Sequence, residues 1–254
     1  YHRRQEWFGT ACCPGNVSRT FSELPGFIYT TSENAVWLHL YASNTAQLTL
    51  PEGQIIELKQ RTNYPWSGEI ELQTGTAGDY ALHLRIPEWC SADWSVTLNG
   101  EAVTVDLPPN GYIALQRAWQ AGDTIRLNLP MPVRYMESHP YINVNHKRVA
   151  LMRGPLLYCV EAVDHPDTDI RLFQLSDDAA FEPVDAPDLL DGVVTLHGQA
   201  EVAADERAWR GPLYRERGQT TAEPATETVD VTAIPYYAWA NREAGPMLVW
   251  LRSQ

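Results

Sequence analysis

Hydrophobic and polar positions alternate with a period of two along most of the chain, the mark of strands with one dry and one wet face. In Val36–Tyr41 one face collects Val36, Leu38 and Leu40, and the other carries Trp37, His39 and Tyr41. Tyr80, Leu82, Leu84 and Ile86 alternate with Ala81, His83 and Arg85. Ile125, Leu127 and Leu129 alternate with Thr124, Arg126 and Asn128. Val96 and Leu98 lead into Asn99-Gly100, and Val103 and Val105 follow. Asn-Gly between two alternating runs predicts a tight hairpin, because both turn positions need positive φ. Pro130 and Pro132 end this first group.

A second group is predicted over Arg148–Met152, Leu156–Glu161, Ile170–Leu175 and Val193–Leu196, with acidic, proline-bearing loops at Asp164–Asp169 and Asp177–Asp191. Ala203–Thr228 has few aliphatics and many charges and reads as an irregular excursion. Met247–Leu251 is a closing apolar strand. The period changes only at the start, where Val17, Phe21 and Leu24 recur at helical spacing. Pro14 there suits a first helical turn and Pro25-Gly26 a stop. Many short strands with no helix-length apolar run between them predict an all-β, antiparallel sandwich or barrel architecture and disfavour a parallel α/β sheet. A boundary between two such domains is expected near Pro132–Ser138.

The chain of 254 residues is long enough for two ordinary domains, and its 44% hydrophobic content allows a packed core. Nineteen basic against 32 acidic residues repel a phosphate backbone, which argues against nucleic-acid binding and is compatible with a neutral ligand such as a sugar. No apolar run reaches the roughly 20 residues of a membrane helix. The start at Tyr1, without methionine, reads as a piece of a longer protein, so a missing signal-peptide pattern says nothing about the parent. Four cysteines are too few for a disulfide scaffold, and free thiols or a metal site lean towards a reducing, cytoplasmic compartment.

Adjacent Cys12 and Cys13 are the unusual local feature. A thiolate is both a nucleophile and a soft metal ligand, and the start of a helix favours the anion. Two adjacent sulfurs are also half of a tetrahedral zinc site. On spacing alone, two buried structural cysteines are the commoner outcome. Cys90 and Cys159 fall in strands or at their ends, which makes a four-cysteine site a poor expectation. His39 and His83 belong to the wetter strand faces. Glu69 and Glu71 form a same-face, solvated pair rather than the acid and base of a glycosidase. Nine tryptophans could stack on sugar rings, but core packing accounts for most of them.

The segment Trp7-Phe8-Gly9-Thr10-Ala11-Cys12-Cys13-Pro14-Gly15-Asn16, followed by Arg19, is similar to the cysteine motif of glycoside hydrolase family 127, the β-L-arabinofuranosidases. Arg153–Tyr158, Ile234–Arg242, and Gly122-Asp123 with Leu129-Pro130-Met131 resemble the same family. The resemblance implies an upstream α/α barrel that binds the sugar, with β-sandwich domains behind it. It implies Cys12 as nucleophile and Cys12 and Cys13 as ligands of a zinc ion. A further glutamate and cysteine would complete the zinc site and another glutamate would be the acid/base, all upstream. Some relatives carry a third cysteine where this chain has Thr10.

The expectation is therefore the C-terminal part of a retaining, zinc-dependent glycosidase acting on terminal β-L-arabinofuranosides. Residues 1–28 would end the barrel, 29–135 with 235–254 would form the first sandwich, and 136–234 the second. Met247–Leu251 would return to the first sandwich, because an apolar terminal strand needs a paired place. Two alternatives stay open: a carbohydrate-binding or purely structural β-sandwich module, and a structural metal site without catalysis.

Overall fold

The computed structural model describes residues 4–7, 9–90, 93–203, 213–214, 216 and 226–253. The chain divides into two units, Trp7–Met131, and Pro132–Gln254 together with the residues up to Glu6. The second unit begins at Pro132.

In the first unit, helix α1 (Cys12–Glu23) is followed by a 3-10 turn, Leu24–Phe27. Ten strands come next: β1 (Tyr29–Ser32), β2 (Ala35–Leu38), β3 (Asn44–Thr49), β4 (Ile55–Thr62), β5 (Glu69–Thr74), β6 (Gly78–Arg85), β7 (Ser95–Leu98), β8 (Glu101–Val103), β9 (Tyr112–Trp119) and β10 (Thr124–Asn128). They build a four-stranded sheet ordered β1-β2-β6-β9 and a six-stranded sheet ordered β3-β4-β5-β10-β7-β8. Val36, Leu38, Leu82 and Leu84 from the first sheet share one core with Ile56, Ile70, Leu72 and Ile125 from the second. This is a sandwich whose period-two positions do what the alternation predicts. The Asn99-Gly100 turn joins β7 to β8 with φ of 51° and 89°. Gly68 is required for a different reason: a Cβ there would lie 1.8 Å from the Leu129 carbonyl oxygen.

One alternation fails. The strand β2 stops at Leu38, so the period does not carry through to Tyr41, which is buried with its hydroxyl donating to the Arg85 carbonyl, while Leu40 is half-buried. The antiparallel rule also has an exception here, since β2 and β6 pair in parallel.

The second unit contains β11 (Val133–Glu137), β12 (Arg148–Arg153), β13 (Leu156–Glu161), β14 (Gln174–Leu175), β15 (Glu182–Ala186), β16 (Val193–Ala203), β17 (Thr226–Pro235), β18 (Met247–Leu248) and β19 (Trp250–Ser253). Its pairings run β12-β19-β14-β16-β17-β13 and return from β13 to β12, a ring of six strands around Leu151, Tyr158, Phe173, Leu196, Val231 and Leu251. The two layers expected here are thus joined into a barrel, which leaves fewer free edges. Within it β14 and β19 pair in parallel.

The terminal strand does not return to the first sandwich. Met247 and Leu248 pair with β13, and Trp250, Leu251 and Arg252 with β12. The 235–254 segment therefore belongs with 136–234. The apolar strand does find a paired place, but in the ring that it helps to close. Two further expectations change. Ile170–Leu172 is a 3-10 turn in which the Asp169 side chain accepts from the Arg171 backbone N–H. The acidic Asp177–Asp191 loop contains β15, an outlying strand with its side chains largely in solvent and hence no alternation to read. Most of the Ala203–Thr228 excursion, including Trp209, lies outside the described residues, and its ends belong to β16 and β17.

Candidate functional site

Helix α1 begins at Cys12, with Ala11 before it in helical geometry and no side-chain cap. The Cys13 backbone N–H donates to the Thr10 carbonyl at 3.3 Å. Pro14, at the third helical position, needs no hydrogen-bond partner for its nitrogen, which is why the motif tolerates it there. Cys12 and Cys13 are both free and exposed, not the buried pair that spacing alone favours. Their sulfurs are 3.9 Å apart. Two thiolates on one tetrahedral zinc, each about 2.3 Å from the metal, lie about 3.8 Å apart. The donor type, the exposure and the separation therefore fit half of a zinc shell. Among the described residues no group of three or more His, Cys, Asp or Glu side chains could hold a metal ion.

The helix carrying these sulfurs has no buried residue. Val17, Phe21 and Leu24 hold the expected helical stripe, yet Phe21 is 69% exposed, and Trp7 and Phe27 are exposed as well. An apolar stripe of this kind is ordinarily covered.

The other two thiols are placed for packing. Cys159, in β13, is buried, and that burial pushes its pKa up to about 12. Cys90 ends a short 3-10 turn and is also raised by burial. His39 and His83 do sit on the wetter face. His83 stacks on Trp37 at 3.7 Å, and His39 shares hydrogen bonds with Thr30 and Tyr112. Burial holds both imidazoles below their usual pKa. Among the described tryptophans Trp119 is fully buried, Trp89, Trp94 and Trp239 lean on cores, and Trp7 and Trp66 are exposed.

The remaining motifs turn inward. Gly154, with φ of 54°, turns β12 into β13, and its carbonyl accepts from Arg134 at 2.9 Å. Asp123 is buried and accepts from the Gln120 backbone N–H at 2.9 Å and the Asn99 amide at 2.8 Å. The Gln120 and Asn99 hydrogen bonds hold its carboxyl below the usual range. In Ile234–Arg242, Arg242 donates to Asp164 at 2.6 Å and to Glu161 at 2.8 Å, while the other Glu161 oxygen accepts from the Ala240 N–H. Arg4 is bound to this loop through the carbonyls of Tyr237, Trp239 and Ala240. The periodicity of the sequence could not reveal this cluster, because Arg242 lies 78 residues from Asp164 and 81 from Glu161 in the chain.

Residues 35–131 match the middle domain of the β-L-arabinofuranosidases of glycoside hydrolase family 127, and residues 133–252 match the family's C-terminal domain. The chain belongs to glycoside hydrolase family 127. A similar protein is the non-reducing end β-L-arabinofuranosidase of Bifidobacterium longum subsp. longum, 36% identical across 98% of this chain and 38% of that protein. Among solved family 127 structures, a β-L-arabinofuranosidase from Geobacillus stearothermophilus T6 superposes with a TM-score of 0.89 at 41% identity, over all of this chain and 39% of that one. A second family 127 β-arabinofuranosidase gives 0.86 at 34% identity, over all of this chain and 40% of that one. The chain thus spans about two-fifths of the length of these family members.

Proposed function

We propose that this chain is the C-terminal part of a retaining β-L-arabinofuranosidase in which Cys12 is the nucleophile and Cys12 and Cys13 are zinc ligands. The observation that carries the reading is the pair of exposed sulfurs 3.9 Å apart at the first turn of α1, in a chain of a glycosidase family. The uncovered stripe of α1 supports a further domain packed against it, as does the share of the relatives' length that the chain leaves unmatched.

In this reading the Cys12 sulfur attacks the anomeric carbon as the glycosidic C–O bond breaks, and a carboxylic acid outside this chain protonates the departing oxygen. Water, deprotonated by the resulting carboxylate, then displaces the sulfur, and two inversions leave net retention. Zinc, when bound, supplies the positive charge that favours the thiolate at neutral pH. Cys13 keeps a second sulfur beside the first.

The test uses the protein with its upstream sequence and an aryl β-L-arabinofuranoside. Cys12→Ser is expected to abolish turnover, Cys13→Ala to lower it, and both to lower zinc content, since each removes one thiolate ligand. A Cys12→Ser enzyme that keeps most of its rate overturns the nucleophile assignment. The 254-residue chain alone is expected to fold, show no turnover and bind zinc weakly, since two sulfurs supply half a shell.

A further inference from the structure

We propose that the outer face of the six-stranded sheet is a binding site for a neutral oligosaccharide. The face holds an open groove of about 740 Å³, inside the range of small-ligand sites. Its floor is two cross-strand rows of polar side chains. Register places Arg61 opposite Glu71, Glu71 opposite Arg126, and Arg126 opposite Thr97. One step along, Glu69 lies opposite Asn128 and Asn128 opposite Ser95. Adjacent strands are about 4.8 Å apart, so each row offers hydrogen-bonding groups at a regular interval on a rigid support. Ile70 and Leu127 border the groove only with backbone, because their side chains are in the core.

Charge bookkeeping selects the ligand. Arg126 donates twice to one Glu71 oxygen, at 3.1 and 3.2 Å, and Arg61 reaches the other at 3.5 Å. Glu69 adds a second carboxylate, so two cations meet two anions and the groove has no formal charge to offer a phosphate or sulfate. What it offers is guanidinium, amide and hydroxyl donors interleaved with carboxylate and amide acceptors, a mixture that matches hydroxyl groups, which both donate and accept. Trp66, 36% exposed, lies in the turn between lining residues Asn63 and Ser67 but outside the lining itself, so the polar rows carry the recognition. The site lies within one unit and does not depend on Cys12.

The experiment is calorimetric titration of the 254-residue chain with two neutral probes, an arabinan-derived pentasaccharide and cellopentaose, and with sodium sulfate. Saturable binding of at least one sugar is expected. It should weaken about tenfold or more in Arg126→Ala and Arg61→Ala, each of which removes a charged hydrogen-bonding group. Arg171→Ala, in the other unit, should bind as the parent does. No saturable sugar binding up to about 20 mM, equal binding by the groove variants, or sulfate binding in preference to sugar overturns the proposal. Turnover of the aryl arabinofuranoside by the longer protein carrying Arg126→Ala separates the two readings. That rate should be unchanged, whereas it fails with Cys12→Ser if the nucleophile assignment holds.

Discussion

The cysteine helix and the Ile234–Arg242 loop are the two most distinctive stretches of the sequence, and the fold uses them in opposite ways. The helix spends nothing internally: none of its residues is buried, and its two sulfurs and its apolar stripe both face outward. The loop uses its charged groups internally, although the buried Trp239 Nε1 and Arg242 Nε find no acceptor. Arg242 is consumed by Asp164 and Glu161, Glu161 also holds the Ala240 N–H, and the loop's carbonyls hold Arg4. A motif whose charged groups are satisfied from within is scaffold. One whose reactive groups are left unspent is a candidate for chemistry.

Stability measurements put this contrast to the test. The largest effect is expected from Arg242→Ala. Glu161, whose side chain is 5% exposed, would be left as a buried, unpaired anion, at a cost of about 3–5 kcal/mol in urea denaturation of the chain. A loss below about 1 kcal/mol would mean that the loop is not held by this cluster. Next comes Asp123→Ala, expected to cost about 1–3 kcal/mol at neutral pH through the lost acceptors of the Gln120 and Asn99 bonds. Because the folded state holds this carboxyl below its ordinary pKa, its charge-dependent contribution is complete above the ordinary carboxylate range. It is lost as the pH falls through the folded value, so the gap between parent and variant should narrow in acid, below about pH 4. A gap that widens in acid contradicts that sign.

The smallest effects are expected on the helix. Phe21→Ser and Cys12→Ser should each change the stability of the 254-residue chain by about 0.5 kcal/mol or less, because neither side chain is packed. A loss above about 1.5 kcal/mol from Phe21→Ser, in the same denaturation experiment, would show that the stripe is already covered in this chain.

What the sequence made legible follows from how local each signal is. Alternation located β2, β6, β7 and β10, and Asn99-Gly100 located the β7–β8 hairpin, since both signals live within a few residues. The exposed strand β15 was invisible because neither of its faces is buried enough to impose a pattern. The placement of Met247–Leu251 was misjudged for another reason: an apolar strand declares that it will be paired, but not with which partner. At the candidate site, the adjacent cysteines stood out from residue type and helix signals. Their exposure did not, because buried cysteine is the commoner case and nothing local distinguishes the two. The groove was readable only as Glu69 and Glu71 on one face, since Arg61, Arg126, Thr97 and Asn128 join them through pairing across strands.

The central claim is that Cys12 is a nucleophile rather than scaffold, and single-turnover trapping addresses it most directly. The protein with its upstream sequence is quenched in acid during turnover of an aryl β-L-arabinofuranoside with a fast leaving group, digested, and examined by peptide mass spectrometry. The account predicts one added pentosyl group on the peptide containing Cys12 and Cys13, retained in Cys13→Ser, lost in Cys12→Ser, and accompanied by a fall in turnover of about a thousandfold or more in the latter. An unmodified cysteine peptide with the pentosyl group on a carboxylate elsewhere, or full turnover by Cys12→Ser, would contradict it.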